Sequence, residues 1–419
     1  MNRVIYLTGS SGYLGGYLCK EFETDGTIAK VYCPIRTKKG MTGPERLAKL
    51  LPYSKCTYVG IQEPIPDDVT NVILNAYSTR FDESLGTKME HNVEPIFALL
   101  DQCKKHKTVQ SAVFVSTAYV QPPLPYRRHA GSRLPLLLIS DEEKKKASPW
   151  KSARQVYDAL YAVKDDEEAV EKLIPDLHPY YKTNSYVFSK HLLEHILEEE
   201  YMKHLNICIV RPSMIAPPRT LDYGLLTKAA APLMMQLSQL PIIFAPKVNG
   251  KPNVVFLEEV LSDIVIAMDN RCKGKKEIDL ISSTGLDNDI PTMWNIAAPH
   301  IPRLMHLRDG WLMESIRSTE FWVVYLILGS KYANLLKAVY ENYDFFLDHV
   351  WDFEKRHKFP VVDEMYKSKE IYLRNFAMEK KKERLLKNGG KDYDSLYMYL
   401  LAAVLVLVVG LVWKRQVAA

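Results

Sequence analysis

Val4-Ile5-Tyr6-Leu7-Thr8-Gly9-Ser10-Ser11-Gly12-Tyr13-Leu14-Gly15 decides the fold. The apolar run Val4 to Leu7 reads as a buried strand, the glycines as a turn, and Leu14, Leu18 and Phe22 then recur at helical spacing. Gly9 suits the tight turn and Gly12 lets backbone approach a pyrophosphate, while Gly15 permits close packing of helix on strand. The N–H groups at the start of the helix receive the phosphates. The stretch therefore predicts the opening of a dinucleotide-binding unit.

Working outward, the next strand, Lys30 to Ile35, ends at Arg36, with Lys38 and Lys39 beyond. A carboxylate at this point accepts from the ribose hydroxyls of NAD; an arginine instead suits the extra phosphate of NADP, so NADPH is the expected cofactor. Apolar runs at Val69 to Leu74, Ser111 to Val115 and Asn206 to Val210 alternate with helical stretches at Val93 to Cys103 and Tyr186 to Met202. This βαβ rhythm predicts an α/β fold, a doubly wound, Rossmann-type parallel sheet.

The strand ending at Val115 delivers Ser116 and Thr117 to the sheet edge where ligands bind in such folds. Tyr186 and Lys190 stand at i and i+4 near the start of a helix, on one face. An ammonium beside a phenol favours the phenolate, so Tyr186 can exchange a proton with a carbonyl oxygen that a hydroxyl from Thr117 holds. Among 25 tyrosines other Tyr-xxx-Lys pairs arise by chance; position after the Ser116-Thr117 strand and behind Asn184 selects this one. His191-Leu192-Leu193-Glu194-His195 matches the HxxEH zinc pattern, but inside this fold it reads as ordinary helix side chains.

Composition sets the outer limits. The 419 residues are 47% hydrophobic and 25% charged, with 55 basic against 50 acidic residues, which excludes a disordered chain. A net charge of +5, well interspersed, gives no argument for nucleic-acid binding. Cys19, Cys33, Cys56, Cys103, Cys208 and Cys272 never come within CxxC spacing, so they read as reduced thiols with no metal site or redox pair.

The two ends address location. Met1-Asn2-Arg3 and the short run after it do not make a secretory signal. Leu396 to Trp413 is 18 residues without a charge, as a helix about 27 Å long, close to a bilayer's hydrocarbon core. Tyr397, Tyr399 and Trp413 mark its interfaces, and only Lys414 to Ala419 follow. The expectation is a transmembrane tail anchor binding membrane lipid. The basic stretch Arg374 to Lys391 reads equally as a solvated helix face or as a contact with the anionic leaflet, the latter with the catalytic domain in the cytosol.

Together these residues resemble the extended short-chain dehydrogenase/reductases, and among them the fatty acyl-CoA reductases. Family-like segments occur in family order: TGSSGYLG at Thr8 to Gly15, Arg36 with basic residues after it, NAYSTRFDESL at Asn75 to Leu85, HN at His91-Asn92, FVSTAYV at Phe114 to Val120, TNSYVFSKHLLEH at Thr183 to His195, and IVRPSMIAPP at Ile209 to Pro218. The long insert between Gln121 and His178 is similar in placement. The resemblance implies Thr117, Tyr186 and Lys190 as catalytic residues with Ser116 as helper. It implies Thr8, Gly9, Ser11, Gly12, Tyr13, Leu14, Arg36, Asn92, Lys190 and Ser213 as NADPH contacts. Two segments depart from the family: its Gly-Asp after the third strand reads Gly60-Ile61, and its HxAA reads Asn75-Ala76-Tyr77.

The implied organisation is a reductase domain over 1–300, a small helical C-terminal domain over 301–393 and the anchor over 396–413. The implied activity is NADPH-dependent reduction of acyl-CoA to a primary alcohol through the aldehyde, at a peroxisomal or endoplasmic reticulum membrane. The apolar run Phe321 to Leu328 reads as a core helix of the small domain or as part of an acyl path. Two alternatives stay open: a membrane-bound sterol dehydrogenase of the same fold, and a non-catalytic NADP-binding sensor or tether. Acyl chain length, end product and oligomeric state are not set by the residues.

Overall fold

The opening stretch forms strand β1 (Arg3–Leu7), a glycine turn and helix α1 (Tyr13–Thr24), and the chain continues into β2 (Ile28–Pro34). A computed structural model describes residues 2–79, 83–121, 152–173, 184–219, 253–269, 279–287 and 351–357. All of these lie within one compact unit. The expected anchor at 396–413, the basic stretch at 374–391, the run at 321–328 and most of the expected helical domain and of the insert lie outside the described residues. Among the described residues no helix is long and apolar enough to cross a membrane.

After β2 come α2 (Gly43–Leu50), β3 (Cys56–Val59) and β4 (Asn71–Leu74). Then α3 (Leu85–Lys88) runs through a π turn at Met89–Val93 into α4 (Glu94–Lys105), and β5 (Ser111–Val115) follows. The second half supplies α5 (Ala153–Ala162), α6 (Glu167–Leu173), α7 (Ser185–Ile196) and β6 (Asn206–Pro212). It ends with β7 (Met214–Ala216), β8 (Asn253–Phe256), α8 (Leu257–Asp269), β9 (Asp279–Ser283) and β10 (Leu286–Asp287).

The main sheet has seven strands in the order β3-β2-β1-β4-β5-β6-β9, all parallel. This is the doubly wound order, and the direction of winding reverses between β1 and β4. β7, β8 and β10 make a smaller sheet. Alternation along the strands builds two cores: Val72, Leu74, Phe114 and Ile209 face α4, α5 and α7, while Ile73, Val113, Val115 and Val210 face α1 and α8. Covering both faces is what a parallel sheet requires.

Three features were not legible in the sequence pattern. The segment 351–357, well beyond the expected reductase domain, packs on this unit: Trp351 and Phe353 are buried in the first core, edge-on to Tyr119. Trp351 donates to the Gln121 carbonyl at 3.0 Å, and Arg356 and His357 both engage Asp263. Second, Cys19, Cys33 and Cys56 gather with their sulfurs all within 4.8 Å of one another. Their linear spacing, which suggests neither a zinc site nor a redox pair, does not show this grouping, because α1, β2 and β3 are distant in sequence and adjacent in space. Third, Glu194 of the HxxEH stretch is committed to a buried ion pair with Arg211 of β6, at 0% and 3% side-chain exposure. Among the described residues no metal-ligand grouping includes His191, Glu194 or His195.

Removing one partner of that pair strands a buried charge. Glu194→Ala should therefore lower the unfolding free energy by about 3–5 kcal/mol. Joint replacement by Glu194→Leu and Arg211→Met should recover most of the loss, as read from urea melts of the two proteins.

Candidate active site

The cofactor half of the site is built where β1 and β4 part. Gly9 has φ +69, and a side chain there would meet the Asn75 and Ala76 backbone at 2.9 Å. Thr8 Oγ1 accepts from the N–H groups of Asn75 and Ala76 at 2.9 and 3.0 Å and donates to the Ile73 carbonyl at 3.1 Å. The Gly12 N–H returns to the Gly9 carbonyl at 2.9 Å, and a Cβ on Gly15 would fall 2.2 Å from that same oxygen. Gly12 caps α1 without a side chain, so the first-turn N–H groups face the turn with room for an anion. Leu14 is buried behind the turn, Tyr13 is half-buried, and Ser11 stands exposed at its tip.

Arg36 lies exposed just past β2. Arg46, which sequence reasoning missed, reaches back beneath it: its guanidinium donates to the Arg36 carbonyl and to Ser11 Oγ. The signal lay in Thr42-Gly43-Pro44-Glu45, a capping box with proline in the first turn. That box fixes where α2 begins and so aims Arg46 at the glycine loop.

The second half of the candidate site joins α7 to the end of β5. Asn184 caps α7 by accepting from the Val187 N–H at 3.0 Å, which sets Tyr186 and Lys190 on the face toward β5. Lys190 Nζ donates to the carbonyls of Val115 and Ser116 at 2.8 and 3.1 Å and lies 5.1 Å from the centre of the Tyr186 ring. The Ser116 N–H is held by the Val210 carbonyl, while Thr117 Oγ1 accepts from the Tyr119 N–H at 3.4 Å. Thr117, Tyr186, Lys190 and Ser116 are thus brought together at one sheet edge.

Tyr77, singled out in the sequence only as a departure, and Lys88, which the sequence pattern missed, complete the surroundings. Tyr77, the departure from the family's HxAA, packs edge-on against Tyr186 with ring centres 5.8 Å apart. Its hydroxyl donates to Ser189 Oγ at 2.7 Å, and its ring lies 4.6 Å from Lys190 Nζ. Lys88 is fully buried, bonds Glu83 and the Ser78 carbonyl, and lies 5.9 Å from the Tyr186 ring centre. Burial pulls the Lys190 ammonium down to about 7; Glu194 opposes this and Lys88 adds to it.

The residues present fit a dinucleotide. The turn at Gly9 and Gly12 is a cradle that side chains would fill. Among the described residues, the buried Ser116 Oγ, Ser213 Oγ and Asn92 Nδ2 have no hydrogen-bond partner within the chain, and all three belong to segments that the sequence singles out. Asn92 Oδ1 is meanwhile fixed by the Ser78 N–H at 2.7 Å, which leaves its amide nitrogen as the available donor.

The depressed Lys190 has a consequence for stability. Between about 7 and its ordinary value of 10.5 the unfolded chain binds a proton that the folded chain does not, so stability rises with pH across that window. The advantage of wild type over Lys190→Met should accordingly grow between pH 6 and pH 9. The growth should be of order 2 kcal/mol, measured by urea unfolding at both values.

Three comparisons bear on this geometry. The profile of the family described as Male sterility protein matches residues 7–58 and 61–256, which is more than half of the chain. Fatty acyl-CoA reductase 1 of Mus musculus is 26% identical over 243 residues, 50% of this chain and 43% of that protein. Fatty acyl-CoA reductase 2 of Homo sapiens is 26% identical over 241 residues, again 50% and 43%. The chain thus matches less than half the length of these relatives. Among solved structures, the terminal R domain of the myxalamid PKS-NRPS pathway superposes with a TM-score of 0.61 at 16% identity, covering 90% of this chain and 91% of that one. The Bordetella bronchiseptica enzyme WbmF, solved with NAD+, gives 0.52 at 11% identity, covering 94% and 99%. At these identities the structures speak for the α/β nucleotide-binding fold alone. The family profile, spread from the glycine turn through the Tyr186 helix to β8, identifies this chain as a member of the Male sterility protein family, that of the fatty acyl-CoA reductases.

Proposed function

We propose that this chain reduces long-chain fatty acyl-CoA to the primary alcohol, through the aldehyde, with NADPH. The observation that carries the reading is the Tyr186–Lys190 couple facing Ser116 and Thr117 at the end of β5. Bound NADPH supplies hydride to the acyl carbon. Ser116 and Thr117 hold the carbonyl oxygen, on which negative charge develops, and Tyr186 gives it a proton. Lys190 favours the phenolate left behind and is itself oriented by two backbone carbonyls. Reduction of a thioester to an alcohol consumes two NADPH: after the first hydride the oxyanion, held but not protonated, collapses to the aldehyde as the CoA thiolate leaves, and after the second the alkoxide takes the proton of Tyr186. Asn92 and Ser213 serve as further polar contacts to the cofactor.

For the cofactor, Arg36 in place of a carboxylate supports NADPH over NADH. For location, the uncharged stretch Leu396 to Trp413 supports a single membrane span with the reductase unit on the cytosolic face of peroxisome or endoplasmic reticulum. Long-chain acyl substrates and their alcohols partition into the same bilayer.

Product analysis after incubating detergent-solubilised protein with acyl-CoA and NADPH tests the activity. Alcohol is expected, whereas binding of NADPH without reduction of acyl-CoA or sterol would favour a sensor. Tyr186→Phe keeps the ring packing and should cut kcat by about 10² to 10⁴ with little change in KM. Near wild-type turnover in that variant would refute the proton route. Arg36→Ala should raise the KM for NADPH and leave that for NADH nearly unchanged. Truncation before Ser395 should release the protein from carbonate-washed membranes; retention would mean that another segment inserts.

A further inference from the structure

The thiol cluster stands apart from the reductase reading. α1 turns Cys19 toward the sheet, and β2 carries Cys33 on the same side. Across the parallel ladder Val31 faces Cys56, so Cys33, two residues on, shares its face with Cys56. Cys19 and Cys33 are 1% and 0% exposed, while Cys56 is half-buried and offers a way in. The Cys19 and Cys33 sulfurs are 4.0 Å apart, and no two of these thiols are joined in a disulfide.

These distances match a known coordination geometry. With metal–sulfur bonds of about 2.3 Å, a planar three-sulfur site needs sulfurs about 4.0 Å apart. One pair already has that separation, and the others lie within 4.8 Å, so closure shortens those separations by at most about 0.8 Å. Packing alone does not call for three sulfur atoms at one point.

We propose that Cys19, Cys33 and Cys56 form a three-thiolate site for a soft d10 cation, of the zinc or copper(I) class. Binding replaces thiol protons with metal–sulfur bonds and releases those protons to solvent, with no change of oxidation state. Soft thiolate donors select such ions over magnesium or calcium. An occupied site would tie α1 to β2 and β3 directly behind the glycine turn and Arg36.

The test uses the full chain, reduced, freed of metal with a chelator and titrated anaerobically with Cd2+ as probe. Expected is the ultraviolet thiolate-to-cadmium charge-transfer absorption, saturating at one equivalent and displaced by Zn2+ or by Cu(I). Cys33→Ala and, at the half-buried position, Cys56→Ser should each weaken binding by about 100-fold. Cd2+ should also slow alkylation of Cys56 in the wild-type chain by about an order of magnitude, read by peptide mass spectrometry, a measurement that needs no variant to fold. Absence of the absorption overturns the proposal. So does an absorption unchanged in both variants, or a Cys19–Cys33 disulfide formed in air by a chain that takes up no metal.

Discussion

The close passage of Gly9 against the Asn75 backbone governs the rest of this structure. At 2.9 Å from where a Cβ would stand, the two backbones leave room for hydrogen only. Thr8 Oγ1 then ties the divergent ends of β1 and β4 to each other. Everything used for binding follows from that point. The turn launches α1 with its uncapped N–H groups aimed outward, and the sheet opens a crevice where the winding reverses. β5 and α7 then bring the polar residues of the second half to the same edge.

Electrostatics shape the other half. Lys190 and Lys88 are both buried, and each is satisfied by oxygen atoms: backbone carbonyls for Lys190, Glu83 and the Ser78 carbonyl for Lys88. The amino groups of both lysines lie within 6 Å of the Tyr186 ring centre, and when protonated they bias the site toward anions. That suits a phenolate, an oxyanion or a phosphate. Nearby, the Glu194–Arg211 pair locks α7 to β6, so the helix that carries Tyr186 is held by charge as well as by the apolar contacts of Val187, Leu192 and Ile196.

Tyr77 adds an aromatic ring to the site: it lies 4.6 Å from Lys190 Nζ and edge-on to Tyr186. The segment 351–357 adds a second feature of the site's rim. By burying Trp351 and Phe353 against Tyr119 it brings residues from far along the chain to the loop that follows Thr117. Residues beyond the family match therefore help to shape the edge that carries Ser116 and Thr117.

The sequence alone determined the parts of this protein that rest on local periodicity and on residue chemistry at fixed spacing. These are β1, the glycine turn and α1, the strands around Ile73, Val113 and Ile209, and the i, i+4 pair Tyr186–Lys190. Each is legible because strand alternation, glycine freedom and helix pitch act within a few residues. Only the tertiary structure decided that Arg46 lies beneath Arg36, that Lys88 and Tyr77 flank Tyr186, and that Glu194 serves Arg211 rather than a metal. It alone placed Trp351 over Tyr119 and gathered Cys19, Cys33 and Cys56. These are contacts between segments distant in sequence, and no linear spacing encodes them: they exist because a parallel sheet brings strands from all along the chain into neighbouring positions.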